Sequence, residues 1–137
     1  MDWHLDQAYS GKLDVNKYHD PDHAALKFFI YLSPVSFDNG CLGYIPGSNK
    51  IAHYLKKGIF NGELDYKPYW TLKDFRSLIK REEYYSYIKK YINTKELEIF
   101  FDNTAFVENG SIQNKNFYNE LDRGGAIIFD ESGAHIG

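Results

Sequence analysis

The sequence predicts a single, mainly β domain, residues 1–137, with a helical insertion at about 51–95. Aromatic residues make up 18% of the chain, with 12 Tyr and 10 Phe, and aromatic side chains favour strands. Several short segments alternate with a strand period, whereas the middle of the chain has a helical period. A chain of this length forms one domain and can bury a substantial core.

The predicted strands of the first third have clear boundaries. Residues 2–7 are predicted as a short strand, and residues 24–33 as the longest one. Aromatic side chains fall on both faces of the 24–33 strand, so we expect both faces to be covered. Asn39-Gly40 predicts a tight hairpin turn that leads into a second strand at 41–45.

The insertion contains the pattern of a helix start. Thr71 and Asp74 have the spacing of a capping box, and apolar residues then recur on one helical face. The same region is rich in tyrosine. These side chains could line a ligand pocket, or they could simply pack the helices against a sheet; the residues concerned are Tyr84, Tyr85, Tyr87 and Tyr91.

Strand character returns after the insertion. We predict strands at 97–101 and 104–107, and another at 126–129 after a turn at Gly124-Gly125. Strands, then helices, then strands favour one domain with a helical elaboration.

Composition excludes several functional classes. The net charge is −3 and basic residues are scattered, so the sequence predicts no nucleic-acid partner. No apolar run is long enough to cross a bilayer, which predicts no membrane partner. The single cysteine, Cys41, excludes an internal disulfide and fits a reducing compartment. We therefore expect a cytoplasmic protein; the oligomeric state does not follow from the sequence.

A candidate metal site begins at Trp3-His4-Leu5-Asp6. Residues two apart on a strand face the same side, so His4 and Asp6 can present an imidazole and a carboxylate together. Two histidines and one carboxylate form the ligand set of non-haem Fe(II) sites, and His135 is the candidate third ligand.

A second cluster, in the loop at 8–23, is a weaker candidate. Four potential ligands lie close together in the sequence there, but they surround a proline, and a solvated loop is the favoured interpretation. These residues are His19, Asp20, Asp22 and His23.

Three segments together resemble the phytanoyl-CoA dioxygenase family of Fe(II)- and 2-oxoglutarate-dependent oxygenases. The first is Trp3-His4-Leu5-Asp6, similar to the family's Trp-His-x-Asp. The second runs over residues 31–50, through an Asn-Gly turn and Pro-Gly-Ser-Asn-Lys, and is similar to the family's strand, turn, strand and Pro-Gly-Ser-His-Lys. The third, residues 124–135, resembles the strand that delivers the distal histidine. All three occur in the family's order.

The resemblance implies a fold and an activity. The fold would be a double-stranded β-helix, a cupin-like jelly-roll barrel, in which His4, Asp6 and His135 are the metal-binding and catalytic residues. The cofactor would be Fe(II), with 2-oxoglutarate and O₂ as co-substrates, and the reaction would hydroxylate a small organic substrate. Asp6 favours hydroxylation because halogenases of this type replace the carboxylate with a small residue.

Two departures from the family pattern are present. Asn49 replaces the histidine that usually follows Pro-Gly-Ser, at a position that does not bind iron. The arginine that pairs with the far carboxylate of 2-oxoglutarate would lie beyond Gly137. We therefore expect the sequence to be a truncated piece of the enzyme, a partial domain without its first and last strands. A non-catalytic cupin-like binding module and a nonfunctional remnant are the alternatives.

Overall fold

The computed structural model describes residues 2–6, 22, 25–109 and 114–137. Strands lie near both ends of the chain, and helices occupy the middle. The elements are β1 (Leu26–Ile30), β2 (Gly43–Tyr44), α1 (Ser48–Phe60), α2 (Leu72–Ile79), α3 (Glu82–Ile88), α4 (Thr94–Asn103), β3 (Ala126–Asp130) and β4 (His135–Ile136), with 3-10 helices at Ala105–Asn109 and Lys115–Phe117.

The strands form two small antiparallel sheets. β1 pairs with β3, so that Phe28 lies opposite Ile128. β2 pairs with β4, with Tyr44 opposite His135. An isolated bridge joins His4 to His135, and a second joins His4 to Thr71, so the N-terminal segment lies alongside β4.

The predicted mainly β jelly roll is wrong for the part of the chain that the structure describes. Helices account for 39% and strands for 17%, and the two-stranded sheets do not close into a barrel. The error comes from treating aromatic content as a strand signal. Tyr84 and Tyr87 are helical, because strand propensity reflects packing context more than an intrinsic preference of the backbone.

The predicted strands at 97–101 and 104–107 are also wrong, because α4 and a 3-10 helix occupy these positions. Asn93 caps α4: its side chain accepts from the Glu96 N–H at 2.9 Å, and its amide donates to the Glu96 carboxylate at 2.7 Å. The buried residues Leu97 and Phe100 then lie one helical turn apart. The capping box at Thr71 and Asp74 is confirmed as the start of α2.

The Asn39-Gly40 turn is present, but it does not form the predicted hairpin. Gly40 has φ 89°, which a glycine adopts without strain. The strand that follows the turn pairs with β4 instead of with β1. A two-residue hairpin signal fixes the local turn, whereas the choice of partner strand depends on distant residues.

One face of β1 is open, contrary to the expectation that both would be covered. Leu26, Phe28 and Ile30 are 67%, 57% and 58% exposed. The other face of the strand carries Lys27, which is half-buried. In this strand the charged Lys27 points inwards together with Phe29, whereas Leu26, Phe28 and Ile30 point outwards.

The tyrosines of α3 mainly pack the core. Tyr84 and Tyr87 are buried, and the Tyr84 hydroxyl donates to the Asp65 carbonyl at 2.7 Å. This favours packing over a tyrosine-lined pocket. The core lies mainly among the helices; its fully buried large residues include Leu55, Leu72, Phe75, Ile79, Tyr84, Ile88 and Leu97. None of the helices described is both long and apolar enough to span a membrane.

Candidate metal centre

The N-terminal segment places His4 and Asp6 on one side of an extended chain. Trp3 and Leu5 are buried in the core, whereas His4 and Asp6 are half-buried on the opposite side. The His4 N–H donates to the His135 carbonyl at 3.0 Å, and the His135 N–H donates back to His4 at 3.0 Å. The two histidines are therefore a hydrogen-bonded cross-strand pair.

The turn before β4 fixes His135. Asp130 accepts from the Ser132 N–H at 2.9 Å and from its hydroxyl at 2.6 Å, which closes the turn. The buried Ser48 hydroxyl then accepts from the Ala134 N–H at 2.8 Å. Ser48 belongs to Pro46-Gly47-Ser48, so this sequence motif supports the distal histidine as well as starting α1.

The three candidate ligands converge. One potential ligand atom from each of His4, Asp6 and His135 lies within 4.8 Å of the other two. His4 Nε2 is 3.3 Å from Asp6 Oδ1, and His135 Nε2 is 3.3 Å from Asp6 Oδ2. Ligand atoms about 2.0–2.2 Å from one ion lie at comparable separations from each other, so the cluster has the size of a metal site.

Both imidazoles are oriented by main-chain carbonyls. His4 Nδ1 donates to the Asp2 carbonyl at 2.8 Å, and His135 Nδ1 donates to the Gly133 carbonyl at 2.8 Å. Such hydrogen bonds set the tautomer and the ring direction of histidines that bind metals. Because Nδ1 carries the proton, each neutral ring presents the lone pair of Nε2 to Asp6.

Burial lowers the pKa of His135, with smaller contributions of both signs from its neighbours. The neutral imidazole is therefore favoured at this position. A neutral Nε2 and a carboxylate oxygen are both acceptors, and at 3.3 Å two acceptors face each other. A cation held by the imidazole and the Asp6 carboxylate would offset the repulsion between these acceptors, so the donor set fits a divalent metal.

A lysine and a second acid border the cluster. The Lys27 amine donates to Asp6 Oδ2 and lies 3.8 Å from Glu131 Oε2. Glu131 and Asp130 are both partly buried, and both have polar partners. Asp130 also accepts from the Asn49 amide at 3.4 Å.

Aromatic side chains pack beside His135. The Phe129 ring lies 5.2 Å from the His135 ring, and Tyr44 packs on Phe129 at 5.7 Å between ring centres. The Tyr44 hydroxyl donates to the Asp130 carbonyl at 3.2 Å. A pocket of about 370 Å³ is lined in part by Tyr44, Phe129 and Asn49, and its volume suits a small molecule.

The structure thus brings together all three residues of the predicted triad. The second candidate cluster falls mostly outside the described residues; of its members only Asp22 is described, 3.6 Å from Lys57. Sequence reasoning missed the roles of Lys27 and Ser48. Lys27 could have been noticed as the charged residue of an otherwise apolar strand, whereas no local signal indicates the contact of Ser48.

Comparison with known proteins gave one match. A protein-family model described as phytanoyl-CoA dioxygenase matches residues 1–135. Searches of curated proteins and of solved structures gave no match.

Proposed function

The chain belongs to the phytanoyl-CoA dioxygenase family, and from this premise we propose that it is an Fe(II)- and 2-oxoglutarate-dependent dioxygenase that hydroxylates a small organic substrate. Membership of the family points to an oxygenase. The finer assignment depends on this chain's own residues, and above all on the convergence of His4, Asp6 and His135 within 4.8 Å.

In this proposal the three residues hold the metal and leave coordination positions open. His4 and His135 supply neutral Nε2 atoms, and Asp6 supplies a carboxylate oxygen, which is the ligand set that suits non-haem iron. When bound, Fe(II) together with 2-oxoglutarate and O₂ would supply the oxidation of a substrate C–H bond. The main-chain carbonyls of Asp2 and Gly133 keep the two rings directed at the metal position.

The surroundings of the triad support this role. Phe129 and the buried position of His135 limit access of water on one side of the cluster. Low solvent access strengthens electrostatic interactions and limits side reactions. None of the three candidate ligands lines the pocket of about 370 Å³, but Phe129 both lines it and packs on His135, so a small organic substrate bound there would lie close to the triad.

Metal binding tests the proposal directly. Anaerobic titration with Fe(II), or with Co(II) as an absorbing substitute, should show saturable binding of one ion per chain. Asp6→Ala and His135→Ala should lose it. Two control variants should keep it: Asp122→Ala, which removes an exposed carboxylate, and His53→Ala, which removes a half-buried histidine on α1. Equal binding by Asp6→Ala and Asp122→Ala would contradict the assignment of the site.

Turnover separates an oxygenase from a binding module. We expect Fe(II)-dependent conversion of 2-oxoglutarate to succinate that Asp6→Ala abolishes. Because the family pattern places an anchoring arginine beyond Gly137, the assay is run on this chain and on the chain extended along its reading frame. Metal binding without turnover in both forms would favour a non-catalytic binding module.

A further inference from the structure

Lys27 is an unusual residue for its position. β1 turns Leu26, Phe28 and Ile30 outwards, with more than half of each side chain exposed, and turns its lysine towards the candidate metal centre. The Lys27 side chain is 33% exposed. A lysine is rarely placed on the inner face of a strand unless it has an acidic partner there.

The partners of Lys27 are the two acids at the centre. Its amine contacts Asp6 Oδ2 and lies 3.8 Å from Glu131 Oε2. Asp6 and Glu131 come from different parts of the fold, since Asp6 lies beside β4 and Glu131 follows β3. The lysine therefore links the β1–β3 sheet to the segment that carries two of the three candidate ligands.

The two oxygens of Asp6 have different environments. Oδ1 lies 3.3 Å from His4 Nε2. Oδ2 accepts a hydrogen bond from the Lys27 amine, and it also lies 3.3 Å from His135 Nε2. When one oxygen of a carboxylate accepts a hydrogen bond from a cationic donor, the other oxygen has no such competitor for a metal ion.

We propose that Lys27 is a positioning residue that holds Oδ2 of Asp6, so that this carboxylate offers a single oxygen to the metal. This inference rests on the proposed function. A carboxylate that binds through both oxygens takes up an additional coordination position, and a two-His-one-carboxylate centre needs its open positions for co-substrates. Glu131 supports the arrangement by holding the lysine on its other side.

Co(II) binding and its visible absorption test this role without any turnover. In Lys27→Met, which keeps most of the length of the side chain and removes the charge, Asp6 gains freedom to bind through both oxygens. We expect the Co(II) dissociation constant to differ from that of the wild type by about 10-fold, the size typical of the effect of outer partners of metal ligands. We also expect the absorption bands to shift, since they report coordination geometry, and Lys27→Arg to restore much of the wild-type spectrum.

The matched control is Lys50→Met. Lys50 pairs with Glu96 at 3.1 Å on the surface, and 62% of its side chain is exposed. Its substitution should leave both the Co(II) affinity and the absorption spectrum unchanged. If far-UV circular dichroism shows that Lys27→Met is unfolded, Lys27→Gln and Lys27→Arg are used for the test instead. A folded Gln variant with a shifted spectrum and an Arg variant with the wild-type spectrum support the inference.

The possible failures are distinguishable. If the wild type shows no Co(II) or Fe(II) binding that depends on His4 and His135, the proposed function and the inference are both overturned. If the wild type binds metal and every Lys27 variant matches it in affinity and spectrum, only the inference is overturned. An unchanged spectrum with weakened 2-oxoglutarate binding would assign Lys27 to the co-substrate and would also overturn the role proposed here.

Discussion

Gly133 is the position at which a single methyl group should disturb the candidate centre most directly. A Cβ at Gly133 would lie 2.1 Å from the Tyr44 hydroxyl oxygen and 2.5 Å from Cζ of its ring, whereas ordinary contacts begin at 3.4 Å. Tyr44 cannot move away freely, because its hydroxyl donates a hydrogen bond to the Asp130 carbonyl and its ring packs on Phe129. We therefore expect Gly133→Ala to lower the free energy of unfolding by about 1–3 kcal/mol, the usual cost of overpacking.

The same substitution should weaken metal binding, because the Gly133 carbonyl orients the imidazole of His135. Urea unfolding followed by circular dichroism measures the stability, and Co(II) titration measures the affinity. The control is Gly137→Ala, whose added Cβ would meet its nearest neighbour, Leu42, at 3.4 Å. It should change stability by less than about 0.5 kcal/mol.

A double-mutant cycle tests the proposed cause. Tyr44→Leu removes both the hydroxyl and Cζ, the two atoms that a Cβ at Gly133 would approach most closely. The combined variant should therefore be more stable than the sum of the two single effects predicts, by at least about 1 kcal/mol. Additive effects, or a Gly133→Ala variant as stable as the wild type, would show that the steric reasoning is wrong.

Three further outcomes concern the supporting structure. Thr71→Ala removes the hydroxyl that accepts from the Asp74 N–H at 3.1 Å, and should cost about 0.5–2 kcal/mol in urea unfolding, with recovery in Thr71→Ser. The buried Arg76 side chain donates hydrogen bonds to the Thr104 hydroxyl and to a main-chain carbonyl. Arg76→Met removes both bonds and should lower the free energy of unfolding by about 1–3 kcal/mol. A loss below about 0.5 kcal/mol would contradict this. Burial, together with the nearby Asp130 carboxylate, raises the pKa of Tyr44. As pH rises above about 10, the Tyr44 hydroxyl therefore loses its proton in the unfolded chain before it does so in the folded one. The free energy of unfolding should fall in this pH range, and it should fall less steeply in Tyr44→Phe.

Local patterns in the sequence predict local structure here. The capping box at Thr71 and Asp74 marks the start of α2 correctly, because both partners of the motif lie within one helical turn. The same type of signal was present at Asn93 and Glu96, where the aromatic residues that follow favoured a strand instead. Aromatic side chains pack equally well on a helix, so their presence alone does not determine the secondary structure.

The candidate centre depends on both local and distant information. The side-by-side placement of His4 and Asp6 follows from the alternation of an extended segment. Their meeting with His135 is a pairing between distant segments, which no local pattern specifies; the ligand set made His135 a candidate, and the family resemblance supported the choice. The lysine that borders the centre comes from a third segment, and its contact with Asp6 could not be inferred from spacing. The arginine expected beyond Gly137 stays a prediction.

The bridge between His4 and His135 joins segments from opposite ends of the sequence. Contacts between such distant residues slow folding, because making them costs the entropy of closing a long loop of chain. A metal ion bound there would act as a clip that closes the chain into one loop. It would bind the native state and not the unfolded one, and at 100 times its dissociation constant it would add about 2.7 kcal/mol to global stability. In this chain, metal supply would then affect the fraction of protein that is folded as well as whether it can react.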